Sequence, residues 1–399
     1  MMLNFSFIHA ADLHLDAPFK GIYGQDELVA RELVQATYKS FDALVELCIQ
    51  EEVDFLLIAG DVYNSQVRSL KGQLKFLEGI KKLASQDIQV FVVHGNHDPV
   101  GTQSMTITWP ENVYFFPAED VVWKVVKNRY GKDVALVGGV SHSSSKEQRN
   151  LARQFDPPGS DLFKIGLLHA NVGNLAPKAP YAPCQLSDLI SRNIDYWALG
   201  HIHERRVLHK DPYVVYAGNI QGLHINESGE RGCYLVRVFA TEEVDIQFKP
   251  LARLIWCTLE IDIGNFSSIN QVQDAIISKC LSVKTSNVNG FAAANPGTNS
   301  ESGESGESGE RGERGGSGGS ARPFICRIKL TGKSPLGKEL NRDDVLEEML
   351  SLARDNLSLE EPFVWVKDIL MDVETQTLAS LQGDGLLAEI IRISNEFEQ

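Results

Sequence analysis

Residues 5–16, FSFIHAADLHLD, open with an apolar run and break at Asp12 and His14. Phe5–Ala11 reads as a buried strand, and the two polar residues after it are of metal-ligand type. The pattern returns along the chain. Phe55–Ala59 runs into Gly60-Asp61, Val90–Val93 is followed by Gly95-Asn96-His97-Asp98, Ile165–Leu168 runs into His169, and Tyr196–Leu199 into Gly200-His201-Ile202-His203. Val134–Val137, Tyr213–Ala217 and Gly232–Phe239 read as further strands. Between the first two strands, Val29, Leu33, Ala36, Leu44, Leu47 and Cys48 recur at helical spacing within Asp26–Glu52. Leu70, Leu74, Leu77, Ile80 and Leu83 do the same before the third. Short apolar strands alternating with amphipathic helices predict a layered α/β domain over residues 1–250.

In such folds, sites form beyond the carboxyl ends of strands. Five strand ends meeting there bring carboxylates, an amide and several imidazoles into one cleft. That mixture suits Mn, Fe or Zn better than Ca or Mg. Seven donors exceed the needs of one ion and are enough for two if one carboxylate bridges. The D-x-H and H-x-H spacings are expected to put both members on one face, as i and i+2 do in a strand. The glycines before Asp61, Asn96 and His201 are expected to let the backbone turn sharply close to the ions. Two such ions activate water and clamp a phosphoryl group. Alone, Asp12 with His14 reads as a polar strand end; the whole set is too costly to bury without partners.

The ordered motifs D-x-H, GD, GNHD, H and GHIH resemble the calcineurin-like metallophosphoesterase superfamily. IHAADLHLD (8–16), AGDVY (59–63), VHGNHDP (93–99), LLHANV (167–172), ALGHIHERR (198–206) and AGNIQG (217–222) resemble its SbcD-type DNA-repair exonuclease branch, and within it the YhaO-like bacterial proteins. The resemblance covers roughly residues 5–240 and implies a four-layer α-β-β-α sandwich with a smaller C-terminal α+β accessory domain. It implies that Asp12, His14, Asp61 and His203 hold one ion and that Asp61, Asn96, His169 and His201 hold the other, Asp61 bridging. It places His97 beside the phosphate as a catalytic group, with Asp98 orienting it. Where nucleases of the branch often carry a second substrate-facing histidine, three residues after the bridging aspartate, this chain has Asn64.

The implied activity is Mn-dependent exonuclease cleavage of DNA, in DNA repair, with an SbcC-type, SMC-like coiled-coil ATPase as partner and a homodimeric assembly. Two rival readings keep the same core: a small-molecule phosphoesterase such as a cyclic-nucleotide phosphodiesterase, and a non-enzymatic assembly subunit with a structural metal pair.

The 399 residues suggest two or three domains; 43% are hydrophobic and 23% charged, which excludes wholesale disorder. The net charge of −15 is unusual for a protein that grips nucleic acid unaided. Residues 251–376 read as a small α+β unit: strands over 254–261, 324–330 and 363–370, helices over 269–280 and 343–353. It is interrupted by residues 286–322, with the core ESG-ESG-ESG-ERG-ERG; the segment, which holds five acids against three arginines, reads as a solvated linker. From Pro323 onward fifteen acids face eight basic residues, so much of the acidity lies in the tail. Residues 377–399 include a last amphipathic helix, a candidate for docking a partner.

Six scattered cysteines without a C-x-x-C pair read as reduced cytosolic thiols. No signal peptide or membrane-spanning stretch is evident, and a cytoplasmic location is expected. His9 and His94 read as core or supporting groups, and His142, His209 and His224 as surface or loop residues. Lys124, Lys127, Arg129 and Lys132 read as the solvated face of two strands rather than a phosphate-binding hairpin. Arg205 and Arg206 divide evenly between substrate contact and surface pairing.

Overall fold

The computed structural model describes residues 4–17, 27–65, 68–102, 105–241, 243–287 and 322–375. The chain divides into two compact units, residues 1–256 and 257–399.

In the first unit the elements follow in the order β1 (Phe5–Ala10), α1 (Glu27–Gln50), β2 (Phe55–Ala59), α2 (Leu70–Ala84), β3 (Gln89–Val93), β4 (Val113–Phe115), β5 (Val122–Lys127), β6 (Asp133–Val140), β7 (Phe163–His169), α3 (Leu186–Ile190), β8 (Tyr196–Gly200), β9 (Arg206–Lys210), β10 (Tyr213–Tyr216), β11 (Gly232–Val238) and β12 (Val244–Pro250). They make two six-stranded sheets, ordered β12-β11-β1-β2-β3-β4 and β5-β6-β7-β8-β10-β9. The central strands β1, β2 and β3 are parallel, as are β6, β7, β8 and β10.

β2 shows why its sequence is apolar throughout. Leu56 and Ile58 pack with Phe41, Leu44, Phe76 and Ile80 of α1 and α2, while Phe55, Leu57 and Ala59 face the inter-sheet core. A strand buried on both faces has no polar side to show. The inter-sheet core joins Phe7, Phe55 and Phe91 of one sheet to Val137, Ile165, Leu167 and Tyr196 of the other. Phe7 stacks on Phe55 at 4.9 Å and meets Tyr196 edge-on at 5.3 Å. Beyond the second sheet, Leu168, Trp197 and Leu199 pack against Leu151, Phe155 and Leu189, the last in α3. The layers are therefore helix, sheet, sheet and a thinner helical layer, the four-layer sandwich expected. The edge strands β4, β9 and β12, short or half-exposed, carry little apolar signal and are absent from the sequence reading.

The basic cluster lies on the β5–β6 hairpin. Lys124 sits over the Tyr114 ring, Lys127 lies 3.8 Å from Asp133, and Arg129 pairs with Glu52. These contacts favour the solvated-face reading.

The second unit contains β13 (Ile255–Asp262), which begins at its boundary, α4 (Ile269–Asn287), β14 (Phe324–Ser334), α5 (Gly337–Leu340), α6 (Asp343–Leu357) and β15 (Val364–Thr375). The strands form one sheet in the order β13-β14-β15. Nearly all of the expected linker and the whole C-terminal helix lie outside the described residues. Among the described residues, no helix is long and apolar enough to cross a membrane.

Candidate metal centre

The first unit gathers Asp12, His14, Asp61, Asn96, His169, His201 and His203 at the carboxyl ends of its parallel strands. The loops are stitched by backbone hydrogen bonds. Asp12, His14 and Leu15 donate their amides to the carbonyls of Gly60, Asp61 and Val62. This holds the D-x-H segment against the loop after β2.

The backbone there is unusual. Asp12, His14, Asp61 and His201 have φ of 51°, 44°, 51° and 98°. Left-handed backbone is uncommon outside glycine and collects where structure serves a site. It also corrects a sequence-level argument. Asp12 and His14 converge through left-handed turns beyond the strand end, not through strand periodicity. The H-x-H pair does not share one target: His201 Nδ1 faces Asn96, and His203 Nε2 faces His14.

The glycines act differently than expected as well. Only Gly60 of the three has a positive φ, 90°. A Cβ on Gly95 would lie 2.2 Å from Asp61 Oδ1, and one on Gly200 would lie 1.8 Å from the Ala59 carbonyl. Their contribution is space for neighbouring donors, not a turn.

Hydrogen bonds on the far side of each ring fix which nitrogen faces inward. His169 Nδ1 donates to the Ala59 carbonyl at 2.9 Å, and His201 Nε2 donates to the Ala179 carbonyl at 2.9 Å. His169 Nε2 and His201 Nδ1 therefore present lone pairs, and both point at Asn96 Oδ1, 3.0 and 3.1 Å away. Three lone pairs converging on one point call for a cation. A second convergence lies alongside: His203 Nδ1 donates to Glu227 Oε1 at 2.5 Å, which turns His203 Nε2 toward His14 Nε2 at 3.2 Å. Asp61 Oδ2 lies between the two, 3.4 Å from His169 Nε2 and 3.9 Å from His14 Nε2. Among the described residues two groups have ligand atoms close enough to share an ion: Asp12, His14 and His203, and Asp12, Asp61 and His169.

The electrostatics agree with a cation. Burial pushes the Asp12 carboxyl up to about 7, against the pull of His203. Burial, then the charges of Asp98 and Asp12, hold Asp61 well above the usual carboxylate range. Buried carboxylates this close resist ionising together unless positive charge joins them. Burial and neighbouring imidazoles hold His14 and His169 well below the usual histidine value, and His201 at about 4. Neutral imidazole is the form that ligates metal.

His97 and Asp98 behave differently from each other. His97 Nδ1 donates to the Asn64 carbonyl at 2.9 Å, its amide donates to Asp61 Oδ1, and its ring stands edge-on to His14 at 5.0 Å. Asp98, expected to orient the His97 ring, instead accepts the amides of Val62, Tyr63 and Gly95. The correction has a simple cause: a buried carboxylate is best satisfied by several backbone N–H groups. Asp98 thereby ties the Asp61 loop to the Gly95–His97 loop, and the Asn64 backbone is what holds the ring of His97.

Two groups escaped the sequence reading. Glu227 is buried; besides His203 it accepts from Asn219 Nδ2 at 2.9 Å and from the Leu223 amide at 2.7 Å. Burial works to raise its carboxyl, but the His203 hydrogen bond and charge prevail and hold it at about 2. Carboxylates behind metal-ligating histidines commonly fix ring and tautomer. His142, expected at the surface or in a loop, is a loop residue but fully buried, and donates Nε2 to the His169 carbonyl. It lies just past β6, in an HSSS stretch that reads as a polar loop.

His9 and His94 fit the core reading. His9 bonds Tyr196 Oη and the Leu199 carbonyl, and His94 stacks on Phe115 with Nδ1 3.6 Å from Asp98. Arg206 pairs with Glu204, and Arg205 lies over the Phe248 ring and donates to the Glu230 carbonyl.

Comparison with known proteins agrees with this geometry. Residues 5–205 match the calcineurin-like phosphoesterase family. The chain belongs to that family. Its sites hold two metal ions, in accord with the donor groups above. The chain is 31% identical over 389 residues to the uncharacterized metallophosphoesterase YhaO of Bacillus subtilis, covering 96% of this chain and 84% of that one. It is 28% identical over 292 residues to the DNA double-strand break repair protein Mre11 of Methanocaldococcus jannaschii, covering 68% and 72%. Among solved structures, a dimetal phosphatase from Danio rerio aligns with a TM-score of 0.37 at 12% identity, covering 62% of this chain and 96% of that one.

Proposed function

We propose that this metallophosphoesterase hydrolyses DNA phosphodiesters as a Mn-dependent exonuclease. The observation that carries the reading is the double convergence of lone pairs with Asp61 between them, in a chain whose relatives include a protein named for double-strand break repair. Asp12, His14, Asp61 and His203 would hold one ion, and Asp61, Asn96, His169 and His201 the other. Bound there, two divalent ions supply the activated water and the charge neutralisation that diester hydrolysis requires.

The chain's own groups do the rest. Glu227 holds His203 in one tautomer. Asp98 keeps the Asp61 and Asn96–His97 loops in register. With Nδ1–H donated to the Asn64 carbonyl, His97 acts as general acid in its doubly protonated form, the Nε2 proton passing to the leaving oxygen. Asn64 contributes its backbone carbonyl to His97 and a side-chain hydrogen bond to His14.

The net charge of −15 fits a nuclease whose grip on DNA comes largely from a partner, here a coiled-coil ATPase of the SbcC type acting with a homodimer. The test is a Mn titration of nuclease activity on linear and hairpin DNA, with and without that ATPase. Mn-dependent digestion that vanishes in Asp61→Ala supports the reading. Equal digestion by parent and variant contradicts it. Turnover of a cyclic nucleotide with none of DNA would move the substrate to the small-molecule class.

A further inference from the structure

Three of the six cysteines lie in the second unit and face one another. Cys257 is on β13, Cys326 on the neighbouring β14, and Cys280 on α4. Cys257 Sγ and Cys326 Sγ are 3.0 Å apart. The thiol of Cys280 also reaches Cys326. Cys280 and Cys326 are fully buried, and Cys257 is half-buried with access to solvent.

Two chemistries use adjacent thiols: a soft metal ion or a disulfide. Among the described residues, no group of donors close enough to share an ion contains a cysteine. The pair, in contrast, nearly has the geometry of a bond. Neighbouring strands run about 4.8 Å apart, and bridged cysteines have Cα atoms about 4.4–6.8 Å apart. Closing the sulfurs to a bond of about 2.05 Å needs a movement of about 1 Å, within reach of side-chain torsions.

We propose that Cys257 and Cys326 form a peroxide-oxidisable dithiol site, a reversible staple between β13 and β14. Cys257, the member open to solvent, meets the oxidant. Its thiolate attacks a peroxide oxygen, the O–O bond breaks, and the departing hydroxide takes a proton to leave as water. Cys257 is then a sulfenic acid, oxidised by two electrons. Cys326 sulfur attacks that sulfur, the S–O bond breaks, and the second water leaves with the Cys326 proton. The hydrogen bonds with Cys257 and Cys280, and then burial, raise the Cys326 thiol well above its usual value, which suits it to the resolving rather than the sensing role. The staple joins cysteines 69 positions apart in the chain, a long closure of the kind that gains most from a cross-link.

The experiment uses the full chain, reduced, desalted and exposed to hydrogen peroxide, followed by thiol counting in denaturant and non-reducing tryptic mapping. Cleavage after Arg253, Lys279, Lys284, Arg314 and Arg327 puts Cys257, Cys280 and Cys326 on separate peptides. The expected result is a fall from six free thiols to four, a single 257–326 cross-linked pair, and full recovery with reductant. Cys280→Ser should fall from five to three, and Cys257→Ser should stay at five. The mapping of the parent chain decides the matter even if a variant folds poorly. Six thiols surviving peroxide, a bond joining other cysteines, or cross-links only between chains would overturn the proposal.

Discussion

The two units use polar chemistry in opposite ways. In the second, the charged contacts lie near the surface: Arg327 with Asp368, Lys329 with Asp372, Arg342 with Asp344. Partly or fully exposed pairs of this kind add little stability and can be exchanged at small cost. In the first, Asp12, Asp61, His14 and His169 are buried, four of the candidate ligands sit on left-handed backbone, and their lone pairs face one another. No fold stabilises itself that way. The arrangement makes sense when cations complete it. The difference teaches where to look for function: at groups that are destabilising until a ligand arrives.

Several substitutions sharpen or break that contrast. The largest effect belongs to Asp61→Ala, which removes the carboxylate lying 3.4 Å from His169 Nε2 and 3.9 Å from His14 Nε2; phosphodiesterase activity should fall to background in a Mn-supplemented assay. His97→Ala should lower turnover by ~10²–10⁴-fold, the usual range for a general acid, while metal content by elemental analysis stays at the parent level. If metal is lost with it, the ring is a ligand and the assignment is wrong. Glu227→Gln should weaken Mn binding by ~10–100-fold in calorimetry, the range for partners behind a ligand. An unchanged affinity would reduce Glu227 to a loop anchor. At the small end, Arg327→Ala in the second unit should cost no more than about 1 kcal/mol and leave Mn binding untouched.

Acid sharpens the comparison further. Burial holds His9 at about 3, with the Leu199 carbonyl opposing, whereas in the unfolded chain it titrates near the usual histidine value. A depressed folded value means stability that is whole above about 6.5 and is lost as pH falls toward 3. Below 6.5 the unfolded chain binds the extra proton, so stability drops by about 1.4 kcal/mol per pH unit for each such histidine. His14, His169, His142 and His201 add to the same slope. Denaturant melts of metal-free protein between pH 7 and 4 should show this, and His9→Gln should be shallower.

Much of the first unit was legible because its strands are buried on both faces. FLLIA at 55–59 cannot be read as anything half-exposed, and the ligand types fall directly after such runs. The edge strands lack that signal. Glu227 sits 24 residues beyond His203 in a loop of unremarkable composition, NESGERG, with no periodicity to connect the two. Only the fold brings it behind the ring. His142 was hidden similarly by the serines that follow it. Asp12 and His14 meet the other donors through left-handed backbone rather than through their spacing, since φ is not written in the sequence.

The central claim is that seven side chains, distant along the chain, together hold two divalent ions. Its most direct test is Mn binding by the purified, chelator-treated chain, counted by calorimetry and elemental analysis. Two ions per chain in the parent and fewer in Asp61→Ala is the predicted result. A parent chain that binds no Mn, or an Asp61→Ala variant that still binds two ions with parental affinity, would contradict it.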